Sequence, residues 1–485
     1  MRTKKEEDPE TLTWNCWFRT LFAGSAALVL YVFIGINEGL SAVMLAQFKK
    51  KDSFIRVSED QETWVASLGI VTAPIGAILI GPFVDAFGRK VGILIFYLTI
   101  GSGFGVIALS MDVTQIYIGR VICAFCEGFK ACAVVYIAEI CTPTQRSLFL
   151  SAISTMFSGG VLICTVMSAF VSWNSACLAY SLAAFAFAGV QWFVPESPGW
   201  LYRHGKEDEA LRSLERLGRS KADILREMND LKERKSNQEK LELKSFFEPI
   251  VWKPFVILST FHVLQFSTGI YDIIYYQVDF IQSLGTTYDP MTVSVAMSTI
   301  RFLSNATIGV YAKSVSRKGS TALCGLGMAL TLLATGAYEL AYRDTEILAR
   351  PYQWLPISLI LSCIVASNLS VTCLPWAMSG EMYPLRVRGI MSGATLVVAY
   401  FAFFFYIKMY YVFLEALRIN GVLFVFAACS VVVLLFGIFV LPETQGKSLL
   451  EVELGFEKKA KRIENVETRN GRKEKGEKTD FVTRF

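Results

Sequence analysis

The sequence predicts an all-α membrane protein, with twelve transmembrane helices in two pseudo-symmetric six-helix halves. Three observations predict it. The 485-residue chain is 53% hydrophobic and 18% charged, with 36 Phe and 9 Trp, whereas soluble domains carry roughly 25% charged residues. Apolar segments of about 20 residues, enough to span a bilayer, recur along the whole chain. Charge motifs at the ends of these segments then repeat in the same order in the second half. Disordered, collagenous and nucleic-acid-binding classes are excluded, and the net charge of +5 belongs to the loops of a membrane protein. The 2 His leave little for metal or histidine chemistry. With no phosphate-binding glycine loop, metal cluster or nucleophile–histidine constellation, the sequence argues against an enzyme and against a cofactor or metal.

In chain order, residues 1–19 form an N-terminal segment and 20–194 the first half, with spans at 20–48, 64–84, 91–111, 115–137, 148–171 and 175–194. The first span is too long for a cleavable signal peptide and no A-x-A site follows it. Residues 195–250 form the one long gap. There Leu211, Leu214 and Leu217, then Ile224, Met228 and Leu231, recur at helical spacing among charges, predicting a cytoplasmic linker of short amphipathic helices lying against the cytoplasmic face. The second half, 251–441, holds spans at 251–281, 291–312, 320–341, 353–378, 389–413 and 421–441. The tail, 442–485, becomes charge-dense and aromatic-poor beyond Glu457 and reads as disordered. Cys123 and Cys126 lack a second ligand pair and read as helix packing.

Lys and Arg concentrate in alternate loops, at Arg89, Lys90, Arg146, Arg317, Lys318, Arg386 and Arg388 and throughout 195–250 and the tail. By the positive-inside rule both termini are cytoplasmic; Lys49–Lys51 run against it, diluted by acidic neighbours. Glu139 and Arg146 lie seven apart after span four, as do Glu381 and Arg388 after span ten. Pro195-Glu196-Ser197 closes span six, and Pro442-Glu443-Thr444 closes span twelve. Such duplication is typical of secondary transporters.

The motifs Gly81-x-x-x-Asp85-x-x-Gly88-Arg89-Lys90, Gly119-Arg120, Val134-Val135-Tyr136-x-x-Glu139, Pro195 to Leu201, Glu381-x-x-Pro384-x-x-x-Arg388-Gly389 and Pro442-Glu443-Thr444-x-Gly446-Lys447-Ser448 resemble those of the sugar porters of the major facilitator superfamily. The flavour is that of insect facilitated trehalose transporters, over residues 20 to 455. The resemblance implies the major facilitator fold and movement of a small polar solute, a hexose or trehalose, by alternating access. Carboxylates and arginines at the cytoplasmic helix ends attract at short range, more so when part-buried. Asp85, Arg89, Glu139 and Arg146, with Glu196, are therefore the expected clamp of the first half, and Glu381, Arg388 and Glu443 that of the second.

The resemblance also implies a substrate site and shows where the family pattern is broken. Gln265 matches a family glutamine, but the second glutamine is Phe266 and the asparagine is Tyr271. Trp376, which in the family stacks on sugar, remains. A family asparagine on span eight becomes Arg301, the acidic residue at that junction becomes Lys313, and the family glutamine on span five falls near Ser154. The candidate substrate residues are thus Gln265, Tyr271, Arg301, Trp376, Asn37 and Ser154.

Ionisable residues inside a membrane are functional candidates by default. Arg120, Glu127 and Lys130 share one face of span four. Glu38, beside Asn37, is expected to pair with Arg120, either for proton coupling or as a structural strut. Asp272 and Arg301 are expected to pair across spans seven and eight; an unpaired Arg301 would instead favour an organic anion. Lys408 is expected to snorkel to the interface. The resulting expectation is a monomeric plasma-membrane carrier of a small solute, with protons a candidate co-substrate. An organic-anion carrier and a non-transporting solute receptor are the alternatives.

Overall fold

The computed structural model describes residues 14–49, 55–236, 246–311, 315–384, 387–447, 451–452 and 455–456. Most of the N-terminal segment and tail, and Lys313, lie outside them. Among the described residues there is helix and no strand. In a bilayer each span must satisfy its own backbone groups, and a helix does this within one segment.

The first half contains α1 (Trp14–Phe48), α2 (Glu59–Phe87), α3 (Arg89–Ala108), α4 (Val113–Phe125), α5 (Lys130–Ile140), α6 (Pro143–Phe170) and α7 (Trp173–Phe193). A 3-10 turn, Cys126–Phe129, joins α4 to α5 within span four. Ser58 and Thr142 start α2 and α6 with capping boxes, closed by Gln61 and Gln145. Helices α1 and α6 pack face to face because Gly35 and Gly160 bring the backbones together; a Cβ on either would meet the carbonyl of Phe157 or Val32.

Three short helices follow: α8 (Pro198–Arg203), α9 (Glu207–Arg216) and α10 (Lys221–Ser236). Leu214, Leu217 and Ile224 are buried, and Met228 and Leu231 pack on Trp200, Leu201, Tyr202 and Ala210. The amphipathic reading is right except at Leu211, which is exposed. Ala210 covers the core in its place.

In the second half, span seven is broken into α11 (Pro249–Ser267), α12 (Ile270–Tyr275) and α13 (Gln277–Ser283). The first break falls at Gly269, whose φ of 71° is a left-handed conformation that glycine adopts without a Cβ penalty. Then come α14 (Pro290–Tyr311), α15 (Arg317–Ala341), α16 (Trp354–Asn368), α17 (Leu374–Met382) and α18 (Arg388–Phe439). Pro375 sits in the first turn of α17, where its missing N–H costs nothing.

Among the described residues, nine helical segments are long and apolar enough to span a membrane by themselves, α4 with α5 counting as one. The twelve predicted spans are recovered once the breaks are read. Helix α14 is one span, and α16 with α17 make another. The 52 residues of α18 would reach roughly 78 Å at 1.5 Å per residue, against a hydrocarbon core of about 30 Å. The interruption falls at Arg418, with φ 57° and ψ 172°, and divides α18 into spans eleven and twelve.

The two sets pack alike. Helices α1 with α6, α2 with α4 and α3 with α7 correspond to α11 with α18, α14 with α16 and α15 with α18. Between the sets, α6 meets α14 and α2 meets α18. The broken spans four and ten occupy equivalent places in the two repeats, an arrangement that lines solute paths in secondary transporters.

Candidate functional site

At mid-height, α1 presents adjacent polar residues to different neighbours. Asn37 accepts from Arg120 Nη1 at its carbonyl (2.8 Å) and at Oδ1 (2.9 Å), and donates through Nδ2 to Glu127 at 3.1 Å. Arg120 also donates to Ser41 Oγ at 2.6 Å and to the Val65 carbonyl at 3.2 Å. The expected Glu38–Arg120 pair is not made. Successive helix residues point about 100° apart, so with Asn37 on Arg120, Glu38 faces the other set and meets Arg301 Nη1 at 2.7 Å. Arg301 also lies over the Phe157 ring, 5.4 Å from its centroid.

That contact overturns the expected Asp272–Arg301 pair as well. Asp272 is 1% exposed, and neither carboxylate oxygen has a hydrogen-bond partner among the described residues. Its neighbours are Tyr276, Tyr406 and Tyr410, because it leaves α12 on a different face from Tyr271.

Around the break in span seven, Gln265 is fully buried. Its Nε2 donates to Tyr271 Oη at 3.2 Å and to the Thr372 carbonyl at 3.4 Å, while Oε1 lies 3.0 Å from His262 Nδ1. His262 meets the Trp376 ring edge-on, with centroids 4.8 Å apart. Lys130 donates to the Tyr400 hydroxyl, with Nζ 5.3 Å from the Trp376 centroid and 5.0 Å from that of Tyr400. Phe266, standing in place of an amide, stacks on Phe403 at 4.6 Å. Ser154 lies on α6 within reach of the Cys373 thiol. The structure thus gathers Asn37, Gln265, Tyr271, Trp376 and Arg301 around one polar centre. It adds His262, Thr372 and Tyr400, for which sequence offered only that His262 is an ionisable residue within a span.

At the end where α1 begins and α18 finishes, each set builds the same device. Glu196 accepts the backbone N–H of Arg89 and Lys90 at 3.0 Å, at the start of α3. Glu443 does the same for Arg317 (3.0 Å) and Lys318 (3.3 Å), at the start of α15. A carboxylate is favoured there because the first N–H groups of a helix are unpaired and its dipole is positive. Arg89 reaches Asp85 at 3.1 Å and Glu139 at 3.3 Å, and Ser197 donates to Glu139. Correspondingly Arg317 reaches Glu381 at 2.9 Å and Thr444 donates to Glu381 at 2.6 Å.

Two expected members move. Arg146 makes no ion pair among the described residues; its place on Glu139 is taken by Arg203 of α8, at 3.1 Å. Arg388 bonds the Tyr383 carbonyl at 3.2 Å, while Arg317 takes Glu381. Arg388, Arg317, Glu381 and Thr444 line a cleft of about 300 Å³ at this end, away from the polar centre.

At the opposite end the charges cross between the sets. Lys49 at the end of α1 pairs with Glu62 of α2 at 3.2 Å and with Asp279 of α13 at 2.9 Å. Tyr411 Oη lies 2.5 Å from Asp279 and 3.0 Å from Glu62. Lys408 pairs with Asp60 at 2.8 Å, donates to Thr63 at 2.5 Å and lies over Trp64 at 4.3 Å. The snorkelling expected of Lys408 thus ends on partners from the other set. This end is tied shut, whereas the pairs at the near end stay within each set or reach α8.

The family model described as "Sugar (and other) transporter" matches residues 20–456. The chain is 28% identical to the facilitated trehalose transporter Tret1 of Bombyx mori, over 96% of this chain and 94% of that protein. It is 26% identical to the protein of the same name from Apis mellifera ligustica, over 90% and 88%. In structure it is similar to the inward-open xylose transporter XylE from E. coli, with a TM-score of 0.70, 18% identity and coverage of 90% of this chain and 99% of that one. The proton:xylose symporter XylE bound to 6-bromo-6-deoxy-D-glucose gives 0.68, at 19% identity over 91% and 99%. The repeated clamps, the paired six-helix sets and the match over nearly the whole chain lead to one assignment: this chain belongs to the sugar (and other) transporter family, the sugar porters of the major facilitator superfamily.

Proposed function

We propose that the protein moves a sugar, a hexose or trehalose, across the plasma membrane by alternating access, as a monomer with both termini in the cytoplasm. The observation that carries this is the polar and aromatic centre of Asn37, Gln265, Tyr271, Arg301 and Trp376, enclosed between two like-built sets. The domain division at 195–250 then separates two rocking bodies, 20–194 and 251–441. The clamp residues Asp85, Arg89, Glu139 and Glu196, and Arg317, Glu381 and Glu443, are the inner gate. With the termini inside, the end closed by Lys49 and Lys408 is external, and the conformation is an inward-facing one. The loop bias of Lys and Arg supports that orientation.

Uniport is favoured over proton symport. Arg120 is bonded by the amide of Asn37, which carries no titrating proton, and Glu38 is held by Arg301. The organic-anion reading required an unpaired Arg301 and loses that support. The test is uptake of labelled glucose and trehalose into proteoliposomes at two pH values, with and without an inward proton gradient. Saturable sugar uptake indifferent to the gradient is the expected result. Accumulation driven by the gradient would refute uniport, and the absence of any saturable sugar flux would refute the transport reading.

A further inference from the structure

The formal charges at the centre of the bundle do not balance. Glu38 and Arg301 cancel one another at 2.7 Å. Among the described residues Arg120 is hydrogen-bonded by neutral groups: the Asn37 side chain and carbonyl, the Ser41 hydroxyl and the Val65 carbonyl. Glu127 is then the one carboxylate on this face of span four against two cations, Arg120 and Lys130. Asp272 stands apart from this group: it makes no ion pair with any cation among the described residues, and neither of its carboxylate oxygens has a hydrogen-bond partner there.

Glu127 acts on Lys130 as well as on Arg120, but one carboxylate cannot cancel both. Lys130 makes no ion pair among the described residues. Its ammonium carries three donors, and the hydrogen bond described for its Nζ goes to the Tyr400 hydroxyl. Lys130 and Trp376 are both part-buried, so each keeps some accessible surface. Nζ stands 5.3 Å from the centre of the indole ring. A cationic donor and an aromatic face therefore share one wall. The amide expected to take sugar hydroxyls is occupied, because Gln265 is bound by His262, Tyr271 and Thr372.

We propose that the solute is an acidic sugar bearing a single carboxylate, with that carboxylate on Lys130 Nζ and the sugar ring against Trp376. The inference rests on the sugar-transport reading and narrows its substrate class. Hydrogen bonds between an ammonium and a carboxylate are roughly twice as strong as those between neutral groups. One negative charge also brings the centre to formal neutrality, where an uncompensated charge at membrane depth is costly. A phosphorylated sugar, at nearly two negative charges, overshoots that balance.

The test uses the full chain in proteoliposomes with labelled glucuronate, glucose and glucose 6-phosphate. The unmodified protein is expected to take up glucuronate with a kcat/KM at least tenfold that of glucose. Lys130→Gln should lower the glucuronate-over-glucose preference at least tenfold, and Lys130→Arg should keep the preference. If Lys130→Gln fails to fold, the preference of the unmodified protein decides alone. Preference for glucose or glucose 6-phosphate, or a glucuronate preference untouched by Lys130→Gln, overturns the proposal and leaves sugar transport standing. Flux of none of the three nor of trehalose, with no binding of any in detergent solution, overturns both.

Discussion

Lys49→Met should open the end that Lys49 and Lys408 tie shut. Lys49 lies 3.2 Å from Glu62 and 2.9 Å from Asp279, carboxylates whose side chains are only 4% and 7% exposed, while its own is 39% exposed. Exposed pairs contribute about 0–1 kcal/mol, and removing one partner of a buried pair costs about 3–5 kcal/mol. A half-exposed lysine serving two nearly buried acids falls between, at about 2 kcal/mol, or roughly a 30-fold shift in the equilibrium between closed and open states of this end. The loss is compounded because Glu62 and Asp279 then face each other with like charge, sharing one Tyr411 hydroxyl. Spin labels on Met111→Cys and Leu348→Cys, exposed loop positions of the two sets at this end, report the separation, since the native thiols are buried or part-buried. Lys49→Met should populate a longer distance. The cycle with Asp279→Asn should show coupling above about 1 kcal/mol. An unchanged distance distribution in Lys49→Met and in Lys49→Met/Lys408→Met would show that ion pairs do not hold this end shut.

Other predictions follow from the same contacts. At the end where α1 begins, Arg89→Ala should depress sugar uptake much more than Arg146→Ala, because Arg89 holds both Asp85 and Glu139; equal losses at matched expression would restore Arg146 to the clamp. Glu38→Gln and Arg301→Gln should each destabilise the protein by about 3–5 kcal/mol by stranding a buried charge, and the double variant should recover most of that. A double variant with summed losses in thermal unfolding would exclude the pair. For Glu443, burial alone would raise the carboxyl, but the Ser316 hydroxyl and the backbone N–H of Gln445, Arg317 and Lys318 outweigh it and hold its pKa below the ordinary value. Its contribution is therefore present above the ordinary carboxylate pKa and lost as pH falls through the lowered one. Glu443→Gln should flatten the thermal-stability profile in that acid window, and an unaltered profile would show that the carboxylate does not hold the start of α15.

The sequence by itself determined the class and the spans, and it marked the motifs from which the near-end contacts are built. Hydropathy over about 20 residues is a local property, and the lipid leaves the backbone little choice but helix. The pairings Glu196 with Arg89-Lys90 and Glu443 with Arg317-Lys318 were foreshadowed because each motif sits at a span junction and occurs twice. Sequence placed Arg120, Glu127 and Lys130 on one helix face for the same local reason. It could not say which acid meets which base across the two sets. Asn37 and Glu38 are neighbours in sequence but a quarter turn apart on α1, so only the packed helix decides that Arg120 takes the amide and Arg301, 263 residues away, takes the carboxylate. Likewise Arg146 has the spacing of a clamp residue, yet α8 brings Arg203 to Glu139 first. The tie of Lys49, Glu62, Asp279 and Tyr411 draws on four separate helices, and only tertiary structure brings those together, because spacing along a chain carries no information about which faces of distant helices meet.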